Sequence, residues 1–289
     1  MDKLLIIADI KNKCFATPRG LSLAARLGLQ AEVVAFTYTP LGKLKINLAE
    51  QAGIRQRLLV ERKQAVQARI DKHSEAGQKV KLKVVWEKDI HRWINKHCAD
   101  SDYLAVVKTG RRSESLVHTS ADWQLLRECP APVLIVAEKR WHRTRPVLAS
   151  LDLSSDLPDK RKLNHKVLAS AKWLADTLDV ELEIITAVEV PVLLADLDLV
   201  DPIAFVREAV EEMQPHLREL AAAHDLPTSA FRCKRGPVAR VINSRAAKVR
   251  AQIVVMGTVG RKGVKARLIG NTAEKVLDHL KTDVLAIKP

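Results

Sequence analysis

The sequence predicts two tandem α/β units, each a five-stranded parallel sheet doubly wound with helices on both faces. Three observations carry this expectation. The chain has 289 residues, 47% hydrophobic and 28% charged, which is the length and composition of two globular domains. Short apolar runs rich in β-branched residues alternate with stretches of helical spacing. The whole pattern occurs twice.

Five landmarks define the repeat. Residues 3–9 (KLLIIAD) and 146–152 (PVLASLD) are apolar runs closed by an acid, Asp9 and Asp152 respectively. Residues 31–37 answer 180–188, and residues 80–86 answer 229–234. Residues 103–107 answer 252–256, and 132–136 answer 283–287. Between the first two runs of each unit the apolar positions have helical spacing. They are Leu21, Leu23, Ala24, Ala25 and Leu27 in one unit, and Val167, Leu168, Ala171, Leu174 and Leu178 in the other. Continuous apolar strands alternating with helices require a parallel sheet covered on both faces. Right-handed crossovers then wind the helices onto both sides. The polar stretch Glu138–Arg145 separates the units, which are expected at residues 1–141 and 145–289.

Composition narrows the function classes. No apolar run is long enough to span a membrane, and the amino terminus has acids beside a short apolar run, unlike a secretory signal. Cys14, Cys98, Cys129 and Cys233 are scattered without metal-ligand spacing, as expected of reduced thiols in a cytoplasmic protein. The net charge of +14 is uneven. Up to Arg143 there are 26 Lys and Arg against 15 Asp and Glu; beyond it there are 22 against 19. The basic half suits an acidic partner, or simply a solvated surface. No aromatic-interleaved basic run and no DNA-reading motif points to nucleic acid.

The chemistry-bearing motif lies after the fourth strand of the second unit, VVMGTVGRKGVKARLIGNTAEKVLDHL. In open parallel sheets ligands sit beyond the carboxyl ends of the strands. Gly257 follows the apolar run, Gly260 comes three residues later and Gly270 ten after that, with Asn271 and Thr272 opening a helical stretch. Glycine lets backbone N–H groups approach a phosphate, and a helix start adds free donors and a positive dipole end. Arg261, Lys262, Lys265 and Arg267 supply charge for neutralising phosphate. Asn271 with Glu274 also reads as a helix cap needing no ligand. The first unit is an internal control. There VVKTGRRSESLVHTSADWQLL is three residues shorter. In that reading Lys108 stands for Gly257, His118 for Gly270, and Thr119 with Asp122 for the cap.

Gly257-x2-Gly260-x9-Gly270 and the tandem layout resemble the universal stress protein family, over the whole chain. The family's nucleotide binders follow the last glycine with Ser or Thr, where this chain has Asn271 and then Thr272. The resemblance implies Rossmann-like units of strand order 3-2-1-4-5. It implies an intrachain pseudo-dimer and homodimers as assembly modes. It also implies ATP or ADP, with magnesium, as ligand. It carries over Asp152 to the base, ribose or metal, and Ala187 and Val188 to the adenine wall. Gly257, Thr258, Gly260, Gly270, Asn271 and Thr272 carry over to the phosphates. Asp9, with no glycine loop opposite, reads as a structural acid.

No catalytic motif is present: no nucleophile elbow, no Walker loop with its lysine and no H-E-x-x-H. The expectation is a non-catalytic stress-response protein, with slow nucleotide hydrolysis at most. Two alternatives stay open. The apolar stretch 187–210 could line a cavity for the acyl part of a nucleotide-linked lipid precursor or another amphipathic anion, or pack in the core. The basic first half could dock an acidic partner.

Overall fold

The computed structural model describes residues 3–10, 14–110, 120–139, 141–191, 200–258, 271–279 and 281–289. The chain divides into two compact units, Met1–Glu138 and Lys139–Pro289. The division falls at the start of the polar stretch noted above.

The first unit runs β1 (Lys3–Ala8), α1 (Ala16–Arg26), β2 (Gln30–Thr37), α2 (Leu48–His73), β3 (Val80–Trp86), α3 (Ile90–Ala99), β4 (Ala105–Thr109), α4 (Ser120–Glu128) and β5 (Val133–Val136). Its strands lie in the order β3-β2-β1-β4-β5, all parallel. The second unit runs β6 (Val147–Leu151), α5 (Pro158–Leu178), β7 (Leu182–Val188), α6 (Pro202–Ala223), β8 (Phe231–Arg235), α7 (Val238–Val249), β9 (Ile253–Gly257), α8 (Asn271–His279) and β10 (Asp283–Ile287). Its strands lie in the order β8-β7-β6-β9-β10, again parallel.

Burial follows strand position. Leu4–Ala8 of β1 and Ile253–Met256 of β9 are almost fully buried, as strands covered on both faces must be. The edge strands are different. β3 (VKLKVVW) alternates lysine with apolar residues, and β8 (FRCKR) is mostly basic. Charged side chains along an unpaired edge discourage strand addition by other chains. Helix starts carry local signals. Asn47 and Glu50 form a reciprocal capping box on α2, Asp89 caps α3, and Asp201 caps α6 ahead of Pro202. Helix α1 packs so close to its sheet that a Cβ on Gly20 would lie 2.7 Å from Ile6 Cγ1.

One polar cluster braces the first unit. Tyr103 donates its hydroxyl to Glu32 Oε2 at 2.8 Å, and His97 Nε2 lies 3.2 Å from Glu32 Oε1. Trp93 stacks on His97 with centroids 4.4 Å apart, and Phe36 meets Trp93 edge-on at 5.3 Å. Burial alone would raise the Glu32 carboxyl. The Tyr103 hydrogen bond and the charges of His97 and Lys81 outweigh burial, so its pKa lies below the ordinary value. A carboxylate held down in the folded state stabilises above its ordinary value and loses that contribution as acid protonates it. Tyr103→Phe should therefore cost about 1–3 kcal/mol at neutral pH by leaving a buried carboxylate short of a donor. The cost should shrink on acidification below the ordinary carboxylate value of 4.5, read by urea unfolding at each pH.

Candidate functional site

The candidate site is the carboxyl edge of the second sheet, where β6 and β9 end side by side. Pairing across the sheets fixes which residues of the two units correspond. Ile6 pairs with Val107 and Ala149 with Val255, while Val106 pairs with Val133 and Val254 with Val284. Val107 thus corresponds to Val255, and Gly257 corresponds to Thr109. This corrects the sequence alignment, which set Lys108 against Gly257. A second check agrees. Gly110 N donates to Val136 O at 3.0 Å, and Thr258 N donates to Ile287 O at 2.8 Å, the same bond in each unit. The same register sets buried Leu125 and Leu126 against buried Val276 and Leu277. Ser120 then matches Asn271, and the expected pairing of Thr119 and Asp122 with Asn271 and Glu274 is one residue out. The sequence misled because a one-residue slip keeps a polar residue at each helix start.

The two edges are built differently. In the first unit Asp9 is 8% exposed. Thr109 donates its hydroxyl to Asp9 Oδ2 at 2.5 Å and accepts from Ala16 N at 2.9 Å. Phe15 N also donates to Asp9 Oδ2, at 3.3 Å. Arg62, reaching down from α2, donates to the carbonyls of Ala8 and Asp9 at 3.2 and 2.7 Å. These bonds tie one carboxylate oxygen of Asp9 and two strand-end carbonyls to the chain itself, as expected of a structural acid.

In the second unit Gly257 offers no hydroxyl to Asp152. Its bare backbone lies under α5, and a Cβ there would stand 2.5 Å from Leu163 Cδ2. Asp152 is held by its backbone instead. Asn164, buried within α5, accepts from Asp152 N at 3.1 Å and donates to Asp152 O at 2.7 Å. The carboxylate, 48% exposed, accepts from Lys160 Nζ at 2.8 Å and Ser154 Oγ at 2.9 Å. The result is a fixed but solvent-facing acid at a strand end, with a lysine beside it.

The other expected residues divide three ways. Ala187 is partly exposed at the end of β7, whereas Val188 is 3% exposed. Thr258 is buried, and its N–H and hydroxyl both point to Ile287 O. Gly260, Arg261, Lys262, Lys265, Arg267 and Gly270 lie outside the described residues. Asn271 and Thr272 open α8, but their side chains lie outside the description too. Sequence reasoning missed Lys160, Ser154 and Asn164 around Asp152, and Arg62 and Thr109 around Asp9. A buried asparagine within an otherwise apolar helix face is the one available sequence signal. The stretch 187–210 leads into α6, whose first turns are partly exposed, with Ile203 at 73%; the buried face begins at Met213.

His216 is the polar group that α6 sets against the second edge. It is 2% exposed, with Nδ1 3.4 Å from Leu153 O, and Nε2 finds no partner among the described residues. Burial, with Arg161 and His165 adding positive charge nearby, holds its pKa below the ordinary value despite the Leu153 carbonyl and Glu219. A base depressed in the folded state leaves stability intact above its ordinary value of 6.5 and erodes it as pH falls toward the folded value. Acidification from neutrality through that window should lower the melting temperature, and less so in His216→Asn. Gly257→Ala should destabilise by about 1–3 kcal/mol through overpacking against Leu163. Adding Leu163→Ala should recover part of the Gly257→Ala loss specifically, seen as non-additivity in a double-mutant cycle.

Two open concavities lie away from this edge. One of about 850 Å³ borders the amino ends of the second sheet's strands, near Arg145, Glu181, Lys248 and Arg250. The other, about 780 Å³, lies in the first unit between Tyr38, Leu48, Arg55 and Trp86. Among the described residues no helix is long and apolar enough to cross a membrane, and no three His, Cys, Asp or Glu side chains are grouped to hold a metal.

Comparison with known proteins agrees with this architecture. The model of the universal stress protein family matches residues 159–288. Universal stress protein E of Salmonella typhi and that of Escherichia coli K12 are each 30% identical to this chain over 246 residues, which is 83% of this chain and 78% of the relative. A universal stress protein from Archaeoglobus fulgidus has the same fold, with a TM-score of 0.70 at 19% identity, over 99% of this chain and 98% of that one. On the strength of the sequence relatives, the chain belongs to the universal stress protein family.

Proposed function

We propose that this universal stress protein is a non-catalytic stress-response protein that binds a nucleotide in its second unit. The ligand is ATP or ADP with magnesium, or a similar phosphate-bearing molecule. One observation carries the reading. Equivalent strand ends hold a buried Asp9, hydrogen-bonded through Oδ2 to Thr109 and Phe15, in one unit and a half-exposed Asp152 in the other, and only the second unit carries the three-glycine spacing beyond it. At the first edge Thr109 and Arg62 spend their hydrogen bonds on the chain itself. An edge whose acid and lysine face water can offer them to a ligand.

Each residue then has a role. Asp152 meets the ribose hydroxyls or a magnesium ion. Lys160, already paired with it, adds charge near the phosphates and would exchange partners on binding. Gly257, Gly260 and Gly270 let the backbone approach phosphate, Thr258 fixes where that loop leaves the sheet, and Asn271 and Thr272 present donors at the start of α8. Ala187 and Val188 border the base. Arg261 and Lys262 neutralise charge.

Heat-denatured, freshly purified protein should release a nucleotide, identified by mass spectrometry, or the purified chain should bind ATP in calorimetry. Gly260→Val should abolish binding. Asp152→Ala should weaken it about tenfold or more, a loss of at least about 1.4 kcal/mol. An absence of released nucleotide together with no ATP binding, or unaltered binding in Gly260→Val, would overturn the reading. A copurifying nucleotide-linked lipid would instead favour the amphipathic ligand.

A further inference from the structure

The second unit carries a histidine pair that the nucleotide reading does not use. His165 projects from α5, and His224 closes the carboxyl end of α6. His165 Nδ1 and His224 Nε2 stand 3.2 Å apart, with ring centroids 5.3 Å apart and planes 38° to each other. The His165 side chain is 34% exposed, so the pair is reachable from solvent. Glu219 Oε1 lies 3.7 Å from the other ring nitrogen of His165, Nε2.

We propose that His165 and His224 are a chelating pair for a borderline divalent cation of the zinc class. Two imidazole nitrogens on a tetrahedral ion, each at about 2.0–2.1 Å, are about 3.3–3.4 Å apart. Each ring nitrogen is about 1.2 Å from its ring centre, so the same geometry sets the centroids about 5.2 Å apart. The observed separations lie within about 0.2 Å of both values, so chelation asks for little movement of either ring. Imidazole is a preferred ligand of zinc, copper and nickel and a poor one for magnesium and calcium.

Chelation also rearranges protons in a way this site accommodates. In a hydrogen bond between two neutral rings, one of the two facing nitrogens carries the proton. A metal takes the lone pairs of both, so both protons must sit on the far nitrogens. On His165 the far nitrogen faces Glu219, and a carboxylate there orients a metal-bound imidazole and raises its basicity. Among the described residues no third ligand is grouped with the pair, so water completes the coordination. The bound ion would tie α5 to the end of α6. His165 follows Asn164, the residue that fixes the backbone of Asp152, so the clamp would stiffen the helix framing the candidate site. The inference does not depend on what that site binds.

Zinc titrated into the full-length chain at pH 7.5, with a phosphine reductant present, should bind saturably in calorimetry. It should also raise the melting temperature. His165→Gln and His224→Gln should each weaken binding about tenfold or more. Binding should fade on acidification, because protons compete for both rings. No saturable zinc binding below millimolar concentration, or affinity in either variant equal to that of the unaltered chain, would overturn the proposal. Should a variant fail to fold, copper-induced broadening of histidine ring resonances in the unaltered chain answers the same question. Broadening at His165 and His224 supports the pair, and broadening elsewhere overturns it.

Discussion

Asp9 and Asp152 end equivalent strands, and the residue beside them on the fourth strand of each sheet governs the carboxyl edge. Where that residue is Thr109, its hydroxyl reaches the acid and an α1 amide at once, and Asp9 is sealed in. Where it is Gly257, there is no hydroxyl to give, and α5 drops a leucine onto the bare backbone. Asp152 is then anchored through its main chain by Asn164, which leaves the carboxylate turned to water. A buried charge must be paired or it will not stay charged. An exposed one can remain available to a ligand.

The crossover helices follow from the same constraint. In the first unit α2 sends Arg62 to two strand-end carbonyls and completes the closure. In the second α6 supplies His216, which meets one carbonyl at long range with its other nitrogen unpartnered among the described residues. Helix α5, at 21 residues, is also much longer than the 11-residue α1. Its added turns carry Lys160 to Asp152 and bring His165 against His224. One duplicated fold thus supports a closed edge and an open one. The difference lies in a few side chains at strand ends and in one lengthened helix.

Much of this was legible in the sequence. The twofold repeat, the ten strands and their helices, and the structural role of Asp9 all follow from periodicity and from the contrast between the halves. Strand order came from a family resemblance, because periodicity says which residues are strands but not which strands are neighbours. The alignment of Lys108 with Gly257 failed for a physical reason. The apolar runs of the two fourth strands, Ala105–Val107 and Ile253–Met256, overlay almost equally well after a one-residue slip, and only hydrogen-bond pairing between strands fixes the register.

The sequence by itself determined the class of fold, its duplication, and the confinement of the glycine spacing to one half. Alternating apolar runs and glycines are local properties, and local properties can be read along a chain. The tertiary structure decided which acid is sealed and which is open. It also decided that Leu163 occupies the space over Gly257, and that two histidines 59 residues apart face each other at 3.2 Å. These depend on how closely a helix approaches a strand end, and that distance is set by packing between elements remote in sequence.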